Sequence, residues 1–475
     1  MPEYPDWFVT WMQQNMEQFQ PTEMSEAQPE HFVNYEFIGG INTDSSPDHL
    51  DEAELRVADN IVIDTRGAIS KRPGTEVILE TEDEITQIIE DHTEEDKIFF
   101  IEDKNIKYYD IENDDIVDEM EVASDKVSTF FFLNQIYMLD GEEYYVFNHE
   151  ENEWEEVIPE DDETNDLDPV RKCTIAEVHS ESDRVYFAGN PEEPHTIYYS
   201  EISEPGFVKE TNRLFPTHGE GPVTALQEFA GTLAVFFPHA VWTVTGVDPE
   251  EDMVWQKVPT SVGSVNDEVV NIITDSLITF TPGGIYEYHP NILGMDLGLE
   301  AEGELINNIA QNRVMKLIND IENPRDVKCV YDVRNSRYML AYGEDKILIY
   351  DFNLNAFYRW TNMPIKDFCY RRNDEILASV GDKMIRLYKG DYNGIFRIVT
   401  PRYHLDGPFW RKKVENVYIA IENPQINGYG VDVRVFMDDE KVLDEFREID
   451  PGPSIAVLQI PLSEVGSRVE VEVEG

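Results

Sequence analysis

The chain has 475 residues, with 37 Lys and Arg against 97 Asp and Glu, so its formal net charge is −60. Binding to the phosphate backbone of nucleic acid depends on clustered Lys and Arg, and this composition excludes it as the general character of the chain. Hydrophobic residues make up 41% and aromatic residues 11% of the sequence, which excludes a disordered acidic chain. The protein is expected to be folded and coated with acid.

Two explanations of the acidity are compatible with each other. In very salty water, screening is nearly complete beyond about 3 Å at 1 M salt, so self-repulsion is harmless and the charge maintains solubility. Alternatively, acid lines a channel through which a polyanion must slide without sticking. The carboxylates are spread along the chain and are not gathered in one tail, which favours the first explanation.

The N-terminal residues 1–33 form a separate docking segment in this interpretation. Trp7 and Trp11 fall near helical spacing in a polar stretch that ends at prolines. They are expected to cover a surface, either on this chain's own body or on a neighbouring subunit. The start has neither the basic residues nor the apolar run of a signal peptide, and no run is long enough to predict a membrane span.

Residues 34–395 are predicted to be all-β. Short runs rich in Val, Ile, Tyr and Phe alternate with clusters of Asn, Asp, Gly and Glu, without regular intervening helices. One helical interruption is predicted over residues 303–321. The predicted strands include Lys97–Glu102, Gln135–Leu139, Thr232–Phe237, Gly284–Tyr288 and Lys346–Tyr350.

A recurring hairpin predicts the architecture. An apolar strand, an Asp or Asn, a polar turn and a second strand recur with steps of 38 to 40 residues, as from Asp110 to Asn148 and from Asp351 to Asp391. A period near 40–45 with four strands per unit is typical of propeller blades. We predict a β-propeller over residues 34–395 with about seven blades, six or eight being the alternatives.

Residues 396–475 have a different sequence pattern from the preceding part of the chain. Alternating apolar and polar residues predict a small antiparallel β-sandwich. Arg411, Lys412 and Lys413 form the one dense basic cluster of the sequence. They are candidate subunit-contact residues that anchor a neighbouring acidic subunit, and the alternative is a solvated turn.

Motifs for enzyme chemistry or cofactor binding were sought, and we expect no catalytic, cofactor or metal residues. The cysteines Cys173, Cys329 and Cys369 have no zinc or disulfide spacing and are expected to be small buried residues. The run Asp351-x-Asn353-x-Asn355 has half of a calcium-loop pattern but is better explained as a hairpin turn. We therefore expect a protein that is not an enzyme.

Several segments, taken in order, resemble the propeller-bearing tail-nozzle and tail-accessory proteins of short-tailed bacteriophages. They are Phe37–Thr43, Glu54–Ile61, Arg66–Gly74, Arg184–Pro191, Ile197–Ser200, Val223–Phe229, Val262–Val265 and Gly283–Tyr286. The resemblance touches most of residues 37–400, whereas the N-terminal segment and the C-terminal sandwich carry little of it.

This resemblance implies a structural virion protein, made in the host cytoplasm, that forms a ring of six identical copies in the viral tail. Genome DNA passes through the lumen during ejection without sequence-specific binding, and other tail or connector proteins are the further partners. The extreme acidity departs from the family and suggests a halophilic host. Two alternatives stay open, namely a receptor-binding or baseplate module and a propeller enzyme acting on glycans.

Overall fold

The computed structural model describes residues 32–34, 36–90, 97–159, 164–215, 220–249, 251–274, 276–289, 306–405, 411–421, 430–449 and 456–475. Contacts divide the chain into two compact units, Met1–Tyr35 and Glu36–Gly475. All the strands among the described residues lie in the second unit. The predicted helical segment with Trp7 and Trp11 lies outside the described residues.

Six strands precede the first complete blade: β1 (Gly40–Ile41), β2 (Glu54–Leu55), β3 (Val57–Asp59), β4 (Ile61–Ile63), β5 (Ile69–Lys71) and β6 (Pro73–Glu80). Six consecutive four-stranded blades follow, and in each the first strand is innermost. Blade 1 contains β7 (Ile85–Glu90), β8 (Lys97–Glu102), β9 (Asn105–Asp110) and β10 (Asp115–Glu121), and blade 2 contains β11 (Ser128–Phe132), β12 (Gln135–Leu139), β13 (Tyr144–Asn148) and β14 (Glu153–Glu156).

Blades 3 to 6 repeat this order. Blade 3 contains β15 (Ile175–His179), β16 (Arg184–Ala188), β17 (Ile197–Tyr199) and β18 (Arg213–Leu214), and blade 4 contains β19 (Ala225–Phe229), β20 (Thr232–Phe237), β21 (Ala240–Thr245) and β22 (Val254–Lys257). Blade 5 contains β23 (Asn271–Ile273), β24 (Ser276–Thr281), β25 (Gly284–Tyr288) and β26 (Ile306–Asn308), and blade 6 contains β27 (Lys328–Asp332), β28 (Arg337–Tyr342), β29 (Lys346–Asp351) and β30 (Ala356–Thr361).

The seventh blade closes the circle with strands from both ends of the propeller. It contains β31 (Ile365–Tyr370), β32 (Ile376–Val380) and β33 (Lys383–Asp391), and its outer strand is β6. β33 and β6 pair antiparallel, with Ile385 opposite Val77. This pairing joins parts of the chain that are about 300 residues apart and so closes the ring of blades.

Apolar clusters between neighbouring blades form the core and complete the same circle. Separate clusters join blades 1 and 2, 2 and 3, 3 and 4, 4 and 5, and 7 and 1, and one large cluster spans blades 5, 6 and 7. Second strands such as β8 and β20 are buried at every residue because a blade covers each of their faces. Outer strands such as β14 are mostly exposed. The structure confirms the predicted all-β propeller with about seven blades.

The C-terminal strands continue one sheet of the propeller. They are β34 (Arg397–Val399), β35 (Tyr403–His404), β36 (Lys412–Ile421), β37 (Gly430–Met437), β38 (Glu440–Glu448), β39 (Ala456–Gly466) and β40 (Arg468–Glu474). Outward from blade 6 the order is β30-β3-β34-β40-β37-β38. The two-stranded sheet β36-β39 packs on this extension through an apolar cluster that includes Val433, Val435 and Ile460, as a sandwich requires.

One local prediction needs correction, and two are confirmed. The helix predicted over 303–321 covers α2 (Met315–Asn319) only, because Ile306–Asn308 is the outer strand of blade 5. A short helix, α1 (Asp168–Arg171), precedes blade 3. Asp351 lies at a hairpin turn, where its Oδ1 accepts the N–H of Asn353 at 3.0 Å. The three cysteines are free and buried, as expected.

Candidate functional site

The innermost strands of the seven blades surround the propeller axis. On the axial side these strands have no main-chain neighbour, and side chains from adjacent blades accept their N–H groups. Asp367 Oδ2 accepts the N–H of Ile88 at 2.8 Å, and Glu177 Oε1 accepts the N–H of Glu228 at 2.7 Å. These hydrogen bonds tie blade 7 to blade 1 and blade 3 to blade 4 where the ladder ends.

A cluster of charges crosses the axis at the beginning of these strands. Lys126, in the connection from blade 1 to blade 2, lies 3.0 Å from Asp267 and 3.2 Å from Glu268, in the connection from blade 4 to blade 5. Glu268 also contacts Lys328 of β27. Blades 2 and 5 are not neighbours in the ring, so this contact spans the axis. A double helix, whose major groove alone is about 12 Å wide, cannot pass along the axis of one propeller.

Asp367 lies beside this cluster and is almost fully buried, with 7% of its surface exposed. Burial and the negative charge of Glu268 raise its pKa to about 7, against the lowering effect of the N–H of Ile88 and of Lys328. The two carboxylates of the cluster at Lys126 raise the pKa of that amine, despite its burial. The carboxylates therefore hold Lys126 in its charged form, and the cluster links the connection between blades 1 and 2 to the connection between blades 4 and 5 and to blade 6.

Further along the same strands is a cavity of about 460 Å³. Blades 1, 2, 3 and 7 line it with mostly apolar side chains, including Ile88, Phe131, Phe368 and Tyr370. Glu177 is the single carboxylate among the described residues that line it. Burial, with the nearby charge of Glu228, raises the pKa of Glu177 to about 8. Glycoside hydrolysis uses a pair of carboxyl groups, and this cavity provides one.

A second cleft, of about 410 Å³, lies where the C-terminal strands join blade 6. Arg56 lies 3.0 Å from Glu470, and Arg402 contacts Asp48 at 3.3 Å and Glu470 at 3.5 Å. Arg468 reaches Asp48 at 3.0 Å. In this cleft arginines and carboxylates neutralise one another, so its residues hold the C-terminal strands against the propeller.

The predicted subunit-contact residues are placed as follows. Arg411 donates to the carbonyl of Val465 at 2.9 Å and lies 3.6 Å from Asp438. Lys412 and Lys413 begin β36, and Lys413 lies 3.3 Å from Glu415. The structure places these three together at one end of an exposed strand. Trp7 and Trp11 lie outside the described residues.

Sequence reasoning did not single out the axial charges. Asp367 and Glu177 each lie among apolar residues of an innermost strand, which was the available signal, although β31 also contains Lys366 and β15 also contains His179. Lys126, Asp267 and Glu268 carried no local signal, because their contact depends on the closed circle.

Charge is distributed very unequally along the chain. Residues 1–320 have 16 Lys and Arg against 71 Asp and Glu, whereas residues 321–475 have 21 against 26. Blades 1 to 5 therefore belong to the strongly acidic part, and blades 6 and 7 with the C-terminal strands are near neutral. All 37 basic residues are in the described part of the chain, and four of them have no side-chain partner there: Arg325, Arg334, Lys346 and Lys389.

No family model and no curated protein matches the chain. Solved structures similar to it include the extracellular domain of BT4673 from B. thetaiotaomicron, with 12% identity over 77% of this chain and 44% of that chain, at a TM-score of 0.45. The RRP9 WD40 repeats match with 10% identity over 67% of this chain and 98% of that chain, at a TM-score of 0.43. The chain thus spans less than half the length of the BT4673 structure.

The described residues contain neither a membrane-spanning helix nor a metal-binding group of side chains. The helices there are too short and polar to cross a bilayer. His, Cys, Asp and Glu do not gather into a metal-binding group in the same part of the chain.

Proposed function

We propose that the protein is a structural component of a viral tail, a nozzle or hub that forms an oligomeric ring through which genome DNA leaves the particle. The observation that carries the proposal is the state of the basic side chains. Of the 37, all but Arg325, Arg334, Lys346 and Lys389 have a partner within the chain. Because 97 carboxylates outnumber 37 basic side chains, most of which already have a partner in the chain, the net force on passing DNA is repulsive and it does not stick.

The axial contact between Lys126 and Asp267 bears on the route of the DNA. Because the propeller axis is crossed by side chains, the lumen of this proposal lies between copies and not within one. The ordered resemblance to tail-nozzle proteins over residues 37–400 supports the same role. A halophilic host fits the net charge of −60, since concentrated salt screens the repulsion within such a ring.

Electron microscopy tests this function. One sample is virions labelled with an antibody against the protein. The other is the purified protein at about 2 M KCl, where the Debye length is shorter than about 3 Å. We expect label on the tail and closed rings in end-on views. An antibody against a capsid protein is the control. Label away from the tail, or protein that binds host cells as a monomer, would favour the receptor-binding alternative, and release of sugar from host envelopes would favour the enzyme.

A further inference from the structure

The outer strand of blade 2 is an uncovered acidic edge. Among the described strands β14 pairs with β13 alone, and Glu153, Glu155 and Glu156 on it are exposed, as are Glu150 and Glu151 in the preceding turn. We call these five residues the acidic edge. Glu156 contacts Arg171 at 2.8 Å, whereas a hydrogen bond with Glu153, together with the negative charges of Glu153 and Glu155, raises the pKa of Glu151. Carboxylates that repel one another on an open strand are favourable partners for cations from outside.

A basic strand end lies on the other side of the ring. Within the part of the chain that the structure describes, β36 pairs with β39 alone, and none of its ten residues is fully buried. Its beginning, with Arg411, Lys412 and Lys413, is the basic end. The pairs that Arg411 and Lys413 make within the chain are exposed, with 67% and 53% of those side chains accessible. Exposed pairs of this kind contribute about 0–1 kcal/mol, so they give way readily to better partners.

The positions of the two strands suit a head-to-tail contact. β14 is in blade 2, while β36 belongs to the strands that extend from blade 6, and these blades are nearly opposite in a ring of seven. A surface at one side that complements a different surface at the other side produces rings when the rotation closes.

We propose that the basic end of β36 in one copy docks on the acidic edge of β14 in a second copy of this chain, and that this contact, repeated, builds the ring. The inference rests on the proposed function, because a ring needs an interface of this kind. It goes further by naming both surfaces and the charges that join them. Burial between the two strands would remove the charges from the salt that screens exposed pairs.

Charge reversal on each surface tests the contact in the full-length protein. The variant K412E/K413E makes the basic end acidic, and E153K/E155K places two basic side chains in the middle of the acidic edge and removes most of its negative charge. We expect each alone to raise the apparent Kd for assembly by about 100-fold, measured by sedimentation velocity in concentrated KCl, since losing one partner of a close charge pair costs several kcal/mol. E112K/E121K, which makes the same change of charge on blade 1, is the matched control and should assemble like the natural protein.

Mixing the two reversed variants gives the decisive result. In a head-to-tail contact the unchanged acidic edge of K412E/K413E fits the unchanged basic end of E153K/E155K. The two substituted surfaces also place opposite charges against each other, so the mixture should assemble. The variant with all four substitutions should assemble alone. Circular dichroism at each step excludes unfolding as the cause of lost assembly.

The failures are distinguishable. If the natural protein forms rings and both reversed variants still do so, the docking surfaces are wrong while the tail function stands. If the natural protein forms no ring at any concentration, the proposed function fails together with the contact. If both variants lose assembly but their mixture does not recover it, the two surfaces do not meet each other, and the inference is overturned.

Discussion

Replacing Asp367 with Asn should stabilise the propeller at alkaline pH. The side chain lies at the axis, where Oδ2 accepts the N–H of Ile88 at 2.8 Å. Asn preserves the shape and can accept that hydrogen bond with Oδ1. It removes the charge that Glu268 repels and that burial penalises, while the attraction of Lys328 is lost with it.

The magnitude follows from the pKa of Asp367, raised from its ordinary value of 3.8 to about 7 in the fold. The folded state therefore disfavours the ionised form. The cost is absent below the unfolded pKa, grows as the pH rises from about 4 to about 7, and is constant above. At about 1.36 kcal/mol for each pKa unit, it reaches about 4 kcal/mol. Asn loses the acceptor for the N–H of Phe368, worth about 1 kcal/mol, which leaves about 3 kcal/mol of stabilisation.

Urea unfolding at constant high KCl, followed by tryptophan fluorescence, measures the effect. We expect the D367N variant to have a higher midpoint than the natural protein at pH 8 and an equal or slightly lower one at pH 4, with unchanged slope. A difference of the same size at both pH values would show that ionisation of Asp367 is not the cause. Destabilisation at pH 8 would show that the charge itself is needed at the axis.

Three further predictions concern stability. Phe99→Ala should destabilise the fold by about 3–5 kcal/mol in chemical unfolding, because the ring is fully buried and packs edge-on against Phe147 at 4.8 Å, whereas Leu133→Ala, at an exposed turn, should change little. Asp59→Ala should lower the free energy of unfolding by about 3 kcal/mol, since both carboxylate oxygens bind Arg359 at 2.8 Å in a poorly exposed pair. Asp64→Ala, at an exposed pair, is the control, and equal effects of the two substitutions would contradict the burial argument. The Tm should fall when KCl drops below about 0.5 M, because the salt then no longer screens the repulsion between carboxylates. A Tm that rises as KCl is lowered would refute the salt explanation of the acidity.

The repeating part of the fold is visible in the sequence. The hairpin over Tyr108–Asn113 is β9-β10, that over Val146–Trp154 is β13-β14, and that over Ile349–Trp360 is β29-β30. Each is the outer pair of strands in a blade, where polar turns interrupt apolar runs at short range. The segment that ends at Asp391, Arg386–Asp391, belongs to the same recurring pattern but differs in its pairing. Its strand, β33, pairs with β6 from the other end of the propeller.

What the sequence hides is what depends on distant pairing. Nothing local in Pro73–Glu80 shows that this strand completes the last blade. β38 escaped prediction because none of its nine residues is fully buried. The axial cluster is hidden for the same reason, since Lys126 and Asp267 are 141 residues apart and meet only when the circle is closed.

The first described residues of the propeller unit fix the geometry on which the ring depends. β6 closes the circle through β33, and β3, a few residues earlier, joins β30 to β34 and so to the C-terminal strands. Asp59 and Arg359 reinforce that junction. Paired main chain therefore sets the positions of β34, β40 and β37 relative to blade 6, and β36 packs on these strands through the apolar cluster. Whether a head-to-tail contact closes into a ring or continues as a filament depends on that fixed angle, so weakening the junction at Asp59 should broaden the distribution of assembled sizes before it unfolds the blades.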